Sequence, residues 1–235
     1  MSIPLFYKED LDSTTTEVVL DEDTSKHIVQ VLRMQNKEQL QLTNGKGDLV
    51  STEIADNNRK KCVVRILKNE HTIRPSNKIT VAISLVKNNN RFEWFLEKAT
   101  EIGITKIVPL ICERTEKTAF KADRMKSILV SAMLQSQQSW LPILEEPIKF
   151  LSFVNQRNSA NKFIAHCENM DAKVQLFSHQ PFTDSIILIG PEGDFSTDEI
   201  LVALQNNFLP VALGNTRLRT ETAGLVAATL LAMAE

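Results

Sequence analysis

Ser185-Ile-Ile-Leu-Ile-Gly-Pro-Glu-Gly-Asp-Phe-Ser196 reads as a buried strand that runs into a glycine-bearing loop and then a helix. A second unit of the same design follows at Phe208-Leu-Pro-Val-Ala-Leu-Gly-Asn-Thr-Arg-Leu-Arg-Thr-Glu-Thr-Ala-Gly224. Two such loops side by side line one pocket with backbone groups. An α/β protein usually holds a small cofactor in this way, at the carboxyl ends of its strands.

In the first loop Gly190 and Gly193 permit tight turns and a close approach of backbone to ligand, and Pro191 stiffens the path. Ser196-Thr-Asp-Glu199 is a capping box, so a helix starts there with its amide groups turned back toward the loop. A plain strand-to-helix turn accounts for the same glycines and proline. Neither loop matches GxGxxG or GxxxxGK[ST], so a dinucleotide fingerprint and a P-loop are not supported. The second loop sets Arg217, Arg219 and Glu221 around one turn. Arg219 stays charged at any working pH. It suits a phosphate or a polarised carbonyl and is a poor base. Glu221, in the first turn of a helix, is also what dipole stabilisation alone would favour.

Outward from these loops, residues after Lys78 alternate strand and helix. Ile79–Val86, Lys106–Ile111, Lys162–His166, Ser185–Ile189 and Val211–Leu213 read as strands. Pro109 suggests that the second of them is an edge or an end. Arg91–Ile102, Ala122–Gln138, a segment from Ser196 and Glu221–Met233 read as helices. This order implies an α/β domain with a mostly parallel sheet covered on both faces. Residues 1–72 differ: short strands surround one small helix, Lys26–Arg33, capped from Asp23-Thr-Ser25, and Asn44-Gly45 signals a hairpin. Ile28, Val31 and Leu32 fall at helical spacing on that helix. A small β-barrel fits this pattern. Residues 71–78 read as a linker, which divides the chain into 1–72 and 73–235.

The chain has 235 residues and a formal net charge of −2, which gives no global signal for nucleic acid. The distribution is less even. Residues 73–128 carry 11 Lys/Arg against 6 Asp/Glu, and residues 129–235 carry 6 against 11, so the middle of the chain is the expected seat of polyanion contact. Cys62, Cys112 and Cys167 are odd in number and widely spaced, which argues against a disulfide framework or zinc site. No metal ligand set is read from the histidines. No run is long enough to span a membrane and no leader pattern opens the chain, so a cytoplasmic protein is expected.

The stretch Lys87-Asn-Asn-Asn-Arg-Phe-Glu-Trp-Phe-Leu-Glu-Lys98 mixes cations, amides and aromatics. Cations beside stackable rings suit RNA. Phe92 and Phe95 fit the apolar stripe of a helix and belong in the core, whereas Lys87 and Arg91 are open to either reading. His27 and Arg33 on the small domain can touch RNA or simply face solvent.

Taken in order, these landmarks resemble the RsmE-type 16S ribosomal RNA uracil-N3 methyltransferases of the SPOUT class. The matching pieces are His27…Val31-Leu-Arg33, Lys87…Arg91-Phe-Glu-Trp94, Glu97-Lys-Ala-Thr-Glu-Ile-Gly103, Pro109-Leu-Ile…Glu113-Arg114 and Gln135-Ser136. They continue with Ile189-Gly-Pro-Glu-Gly193…Phe195-Ser196 and Leu213-Gly214…Leu218-Arg219…Glu221-Thr-Ala223. The last two are specific in combination.

The resemblance implies an N-terminal PUA-like β-barrel that helps bind RNA and a C-terminal SPOUT domain whose end forms a trefoil knot. It implies a homodimer that uses S-adenosylmethionine and acts on 16S ribosomal RNA of the small ribosomal subunit. Carried over, Leu188, Ile189, Gly190, Pro191, Glu192 and Gly193 would hold the cofactor, together with Leu213, Gly214, Leu218 and Thr222. Arg219 would lie beside the uridine, with Glu221 a candidate base. His27, Arg33, Lys87, Arg91 and Arg114 would contact RNA. The chain departs from the family at Asn88-Asn89-Asn90, at Asp194 where a second glycine is usual, and at Leu134 and Gln138. The rival readings are a SPOUT methyltransferase of another RNA, such as transfer RNA, and a non-catalytic RNA-binding assembly protein.

Overall fold

A computed structural model describes residues 3–12, 15–74, 76–156, 161–168, 173–179 and 182–233. The chain divides into two compact units, Met1–Arg74 with Met133–Leu141, and Pro75–Ala132 with Pro142–Glu235.

The first unit holds β1 (Leu5–Tyr7), β2 (Glu17–Val19), α1 (Glu22–Lys26), β3 (Gln39–Thr43), β4 (Asp48–Asp56) and β5 (Val63–His71). Its sheet runs β1-β3-β4-β5-β2. The Asn44-Gly45 turn joins β3 to β4 as an antiparallel hairpin, as its sequence indicates. Strand alternation buries Leu40, Leu42, Val50, Ile54 and Val64 over Leu20 and Ile28. Asp21, rather than the Asp23-Thr-Ser25 stretch, caps α1: its carboxylate accepts from Thr24 N at 2.9 Å. Beyond α1 the coil widens over His27–Val31, so that Leu32 N donates to His27 O, five residues back, at 2.9 Å. The wider turn breaks the 3.6-residue stripe. Ile28 stays in the core, while Val31 and Leu32 are 67% and 42% exposed. Arg33 ends the turn in the left-handed region at φ 57°.

Met133–Leu141 returns to this first unit. Gly47 N donates to Ser139 O and Trp140 Nε1 to Thr72 O, each at 2.9 Å. The Trp140 ring lies 5.0 Å from the Arg74 guanidinium and edge-on to His71. The stretch expected as a linker from residue 71 therefore begins inside β5.

The second unit holds β6 (Lys78–Ser84), α2 (Asn89–Ile102), β7 (Lys106–Ile111), α3 (Ala122–Gln135), β8 (Ile143–Leu144), β9 (Ile148–Lys149) and α4 (Phe150–Gln156). It continues with β10 (Asn161–Ala165), β11 (Val174–Gln175), β12 (Asp184–Ile189), α5 (Thr197–Gln205), β13 (Leu209–Ala212) and α6 (Thr220–Ala232). The sheet order is β11-β13-β10-β12-β6-β7-β8, with β9 also on β7, and every pairing is parallel. One face, with Ile164, Ile186 and Leu188, packs on Phe150 and Phe153 of α4 and Ile200 of α5. On the other face α6 lies so close that a Cβ at Gly224 would sit 2.7 Å from Ile83 and 2.8 Å from Phe95. The α/β sheet covered on both faces is thus as the alternating pattern implies.

Pro109 corrects the expectation of an edge. β7 pairs with β6 along its length, and on its other side with β8 at Lys106–Ile107 and β9 at Leu110–Ile111. The missing N–H of proline falls in the gap between these two short strands, where no ladder bond is lost. The Asn88-Asn89-Asn90 departure has a local role: the Asn88 side chain caps α2 by accepting from Asn90 N at 3.0 Å. After β13 the chain crosses back to β6, β12 and α2, where α6 packs.

Candidate active site

The site stands where three parallel strands end. β10, β12 and β13 are consecutive across part of the sheet, with Ala165 level with Ile189 and with Val211. Their carboxyl ends open onto a cleft of about 700 Å³. The loop after β12 contributes Ile189, Gly190, Pro191, Glu192 and Asp194, and the loop after β13 contributes Leu213, Gly214, Leu218 and Arg219. The two glycine loops therefore share one pocket, as their sequence suggested. The third wall, Ala165-His166-Cys167 with Lys173, was not singled out from sequence. Nothing local in Lys162–His166 says that this strand lies between β12 and β13.

The first loop is built tightly. Pro191 O accepts from Asp194 N at 2.9 Å, and Asp194 takes φ 64°. A Cβ at Gly190 would come within 3.1 Å of the Phe195 backbone and ring, so glycine is what this close approach admits. Phe195 is fully buried and packs on Phe150 at 5.3 Å between ring centroids. The capping box read from sequence is present. Glu199 accepts from Ser196 N at 3.0 Å and also from Glu113 N at 2.9 Å, which satisfies a buried carboxylate with two backbone donors.

Several of the residues carried over by resemblance hold this loop from outside the cleft. Arg114 donates to Gly193 O at 2.8 Å and to Phe195 O at 3.3 Å. Glu192 accepts from Lys87 N at 3.0 Å, while the Lys87 ammonium pairs with Glu116 at 2.7 Å and is held charged by that hydrogen bond. Leu188 points into the sheet core, and neither it nor Gly193 or Thr222 lines the cleft.

Arg219 and Glu221 part company. Arg219 is the extended N-cap residue of α6 at φ −72° and ψ 157°, whereas Glu221 lies inside its first turn. Arg219 and Arg217 line the cleft, exposed and without an ion pair among the described residues. Glu221 is buried against α2, with one carboxylate oxygen 3.7 Å from Arg91 Nε and the other unpartnered. His27 and Arg33 belong to the first unit, where His27 is edge-on to Phe6. Among the described residues no group of His, Cys, Asp and Glu is arranged to hold a metal, and no helix is long and apolar enough to cross a membrane.

Of the cysteines, Cys62 and Cys112 are buried and Cys167 is exposed at the cleft. Burial pushes the Cys62 thiol up to about 11 and the Cys112 thiol higher still, with Glu199 adding to the latter. A maleimide at neutral pH is expected to label the folded chain at Cys167 alone. Peptide mapping checks this. Equal labelling of Cys62 or Cys112 would contradict the burial.

The sequence matches the RNA methyltransferase domain over residues 74–232 and the RNA methyltransferase PUA domain over residues 20–67. It is 38% identical to a solved structure described as a probable rRNA-methyltransferase from Porphyromonas gingivalis, with a TM-score of 0.89 over 96% of this chain and 95% of that one. It is 28% identical to the ribosomal RNA small subunit methyltransferase E of Neisseria gonorrhoeae, solved bound to S-adenosyl methionine, with a TM-score of 0.86 over 97% and 95% of the two chains. The protein of the same name from Rickettsia conorii is 27% identical over 90% of this chain and 88% of its own length. The chain belongs to the RNA methyltransferase family, alongside the ribosomal RNA small subunit methyltransferases E.

Proposed function

We propose that the chain uses S-adenosylmethionine to methylate N3 of a uridine in 16S ribosomal RNA of the small ribosomal subunit. The observation that carries this reading is the convergence of three strand ends on one cleft with the unpaired Arg219 on its wall. Relatives of matching length, one solved with that cofactor, support it.

The residues present fit the cofactor. The cleft is of the size that encloses a nucleoside-sized ligand, and its wall mixes backbone groups with apolar side chains. Ile189, Gly190, Pro191, Glu192, Leu213, Gly214 and Leu218 would hold it. Gly190 is the point at which a side chain would disturb that cradle. When bound, S-adenosylmethionine supplies a methyl group on a positively charged sulfur.

Uracil N3 is a weak nucleophile while it carries its proton. Arg219 lowers that barrier by donating charge-assisted hydrogen bonds to a uracil carbonyl as the ring becomes anionic. The cleft's carboxylates are otherwise engaged: Asp194 accepts from two backbone N–H groups and Glu192 from Lys87 N. Glu221 faces Arg91. Solvent is therefore the proton acceptor in this reading. The N3 edge is paired in a duplex, so the target uridine is unpaired or extruded. Arg217, Lys87, Arg91 and Arg33 supply cations for the RNA backbone, and His27 supplies a polar ring. Arg114 acts through the loop it holds.

The test is transfer of a labelled methyl group to small ribosomal subunits that lack the modification, with nucleoside analysis of the product. 3-Methyluridine in 16S ribosomal RNA is expected. Labelling of transfer RNA instead would favour a different RNA substrate, and failure to bind the cofactor would favour a non-catalytic assembly protein. Protection of Cys167 from maleimide by S-adenosylmethionine gives an independent readout of the cleft. The same reading makes the active form a homodimer in the cytoplasm, which sedimentation and fractionation test.

A further inference from the structure

Two charged side chains hold a single peptide bond in the wall of the cleft. That peptide joins His166 to Cys167, just beyond the end of β10. Its N–H, on Cys167, donates to Asp194 Oδ2 at 2.7 Å, and its carbonyl, on His166, accepts from Lys173 Nζ at 2.6 Å. The anion meets the positive end of the amide dipole and the cation meets the negative end. Both contacts therefore favour the same orientation of the same plane.

The clamp also spans two walls. Asp194 belongs to the loop after β12, where its other carboxylate oxygen accepts from Phe195 N at 2.9 Å. Lys173 donates as well to the carbonyl of Glu168, closing the end of β10 upon itself. The His166 ring is buried and neither of its nitrogens has a partner, so it offers the peptide no competing polar anchor. Asp194 adopts φ 64°, a conformation that glycine takes without strain, and here its carboxylate is put to use.

We propose that Asp194 and Lys173 are positioning residues that fix the His166–Cys167 peptide as part of the cofactor wall and thereby set the affinity of the cleft for S-adenosylmethionine. The inference rests on the reading of this cleft as the methyl-donor site.

The test compares the full-length parent with D194G, D194N and K173M by calorimetric titration with S-adenosylmethionine, and by amide exchange at Cys167 without cofactor. D194G fits the left-handed backbone, so the chain folds, but the acceptor is gone. Its Kd is expected to rise about tenfold, the size of one charge-assisted hydrogen bond, and its Cys167 amide to exchange about tenfold faster. In turnover the KM for cofactor rises with the Kd, while kcat at saturation falls less than about threefold. The carboxamide of D194N has one acceptor oxygen for the two N–H groups that Asp194 serves, at Cys167 and Phe195, so its affinity is expected between those of the parent and D194G. K173M weakens binding too, and combining it with D194G costs less than the two losses summed, because both act on one peptide. The proposal is overturned if D194G binds within twofold of the parent, or if K173M tightens binding while D194G weakens it, which would assign the effect to rim charge. A parent that fails to bind at all overturns the methyl-donor reading instead. The exchange contrast between parent and D194G needs no cofactor and separates the two failures.

Discussion

Arg219→Ala is expected to lower the methylation rate about 10²- to 10³-fold at saturating cofactor and RNA, the loss that follows removal of one donor to a developing oxyanion. The side chain lines the cleft, is exposed and makes no ion pair among the described residues, so it is not used to hold the fold. Its backbone is independently fixed, since Arg219 O accepts from Ala223 N at 2.7 Å in the first turn of α6. The variant should therefore keep its melting temperature and its affinity for S-adenosylmethionine. Arg219→Lys keeps the charge but loses the planar fork and should fall between the two. Single-turnover kinetics on small subunits checks the rate. Full turnover by the alanine variant would remove Arg219 from the chemistry.

Phe195→Ala carries the largest expected loss of stability, about 3–5 kcal/mol, as for other fully buried aromatic truncations. The ring is 0% exposed, contacts Phe150 and backs the turn at Gly190. Its removal leaves a cavity beneath the first loop, where α4, α5 and the sheet meet. Denaturant titration should show the loss, with cofactor affinity falling alongside because the loop has lost its support. A change below about 1 kcal/mol would mean that the surrounding side chains collapse into the space.

What was legible in the sequence was local. Ser196 and Glu199 declare the start of α5 because their two hydrogen bonds close within four residues. Asn44-Gly45 declares the hairpin for the same reason, and the apolar face of α2 follows from its period. The third wall of the cleft was not legible, because β10 owes its position to Ile164 pairing with Leu188 on one side and Pro210 on the other. Pro109 misled for a related reason: an internal strand can carry proline when its neighbours on one side are two short strands with a gap. Arg219 and Glu221 look like partners on paper, yet the chain turns from extended backbone at Arg219 into helix at Thr220, which leaves one side chain at the cleft and the other against Arg91.

The return of Met133–Leu141 to the first unit bears on the order in which this protein can be made. The small sheet is translated first, but Trp140 and Ser139, which close over Gly47 and Thr72, come much later. At about 5–20 residues per second, roughly 3–13 s separate synthesis of Arg74 from synthesis of Leu141. Through that interval the nascent first unit lacks its last segment, while β6, α2 and β7 of the second are already emerging. The two units are thus interleaved in the order of synthesis, and a gene cut after Arg74 would separate the first from a piece of itself.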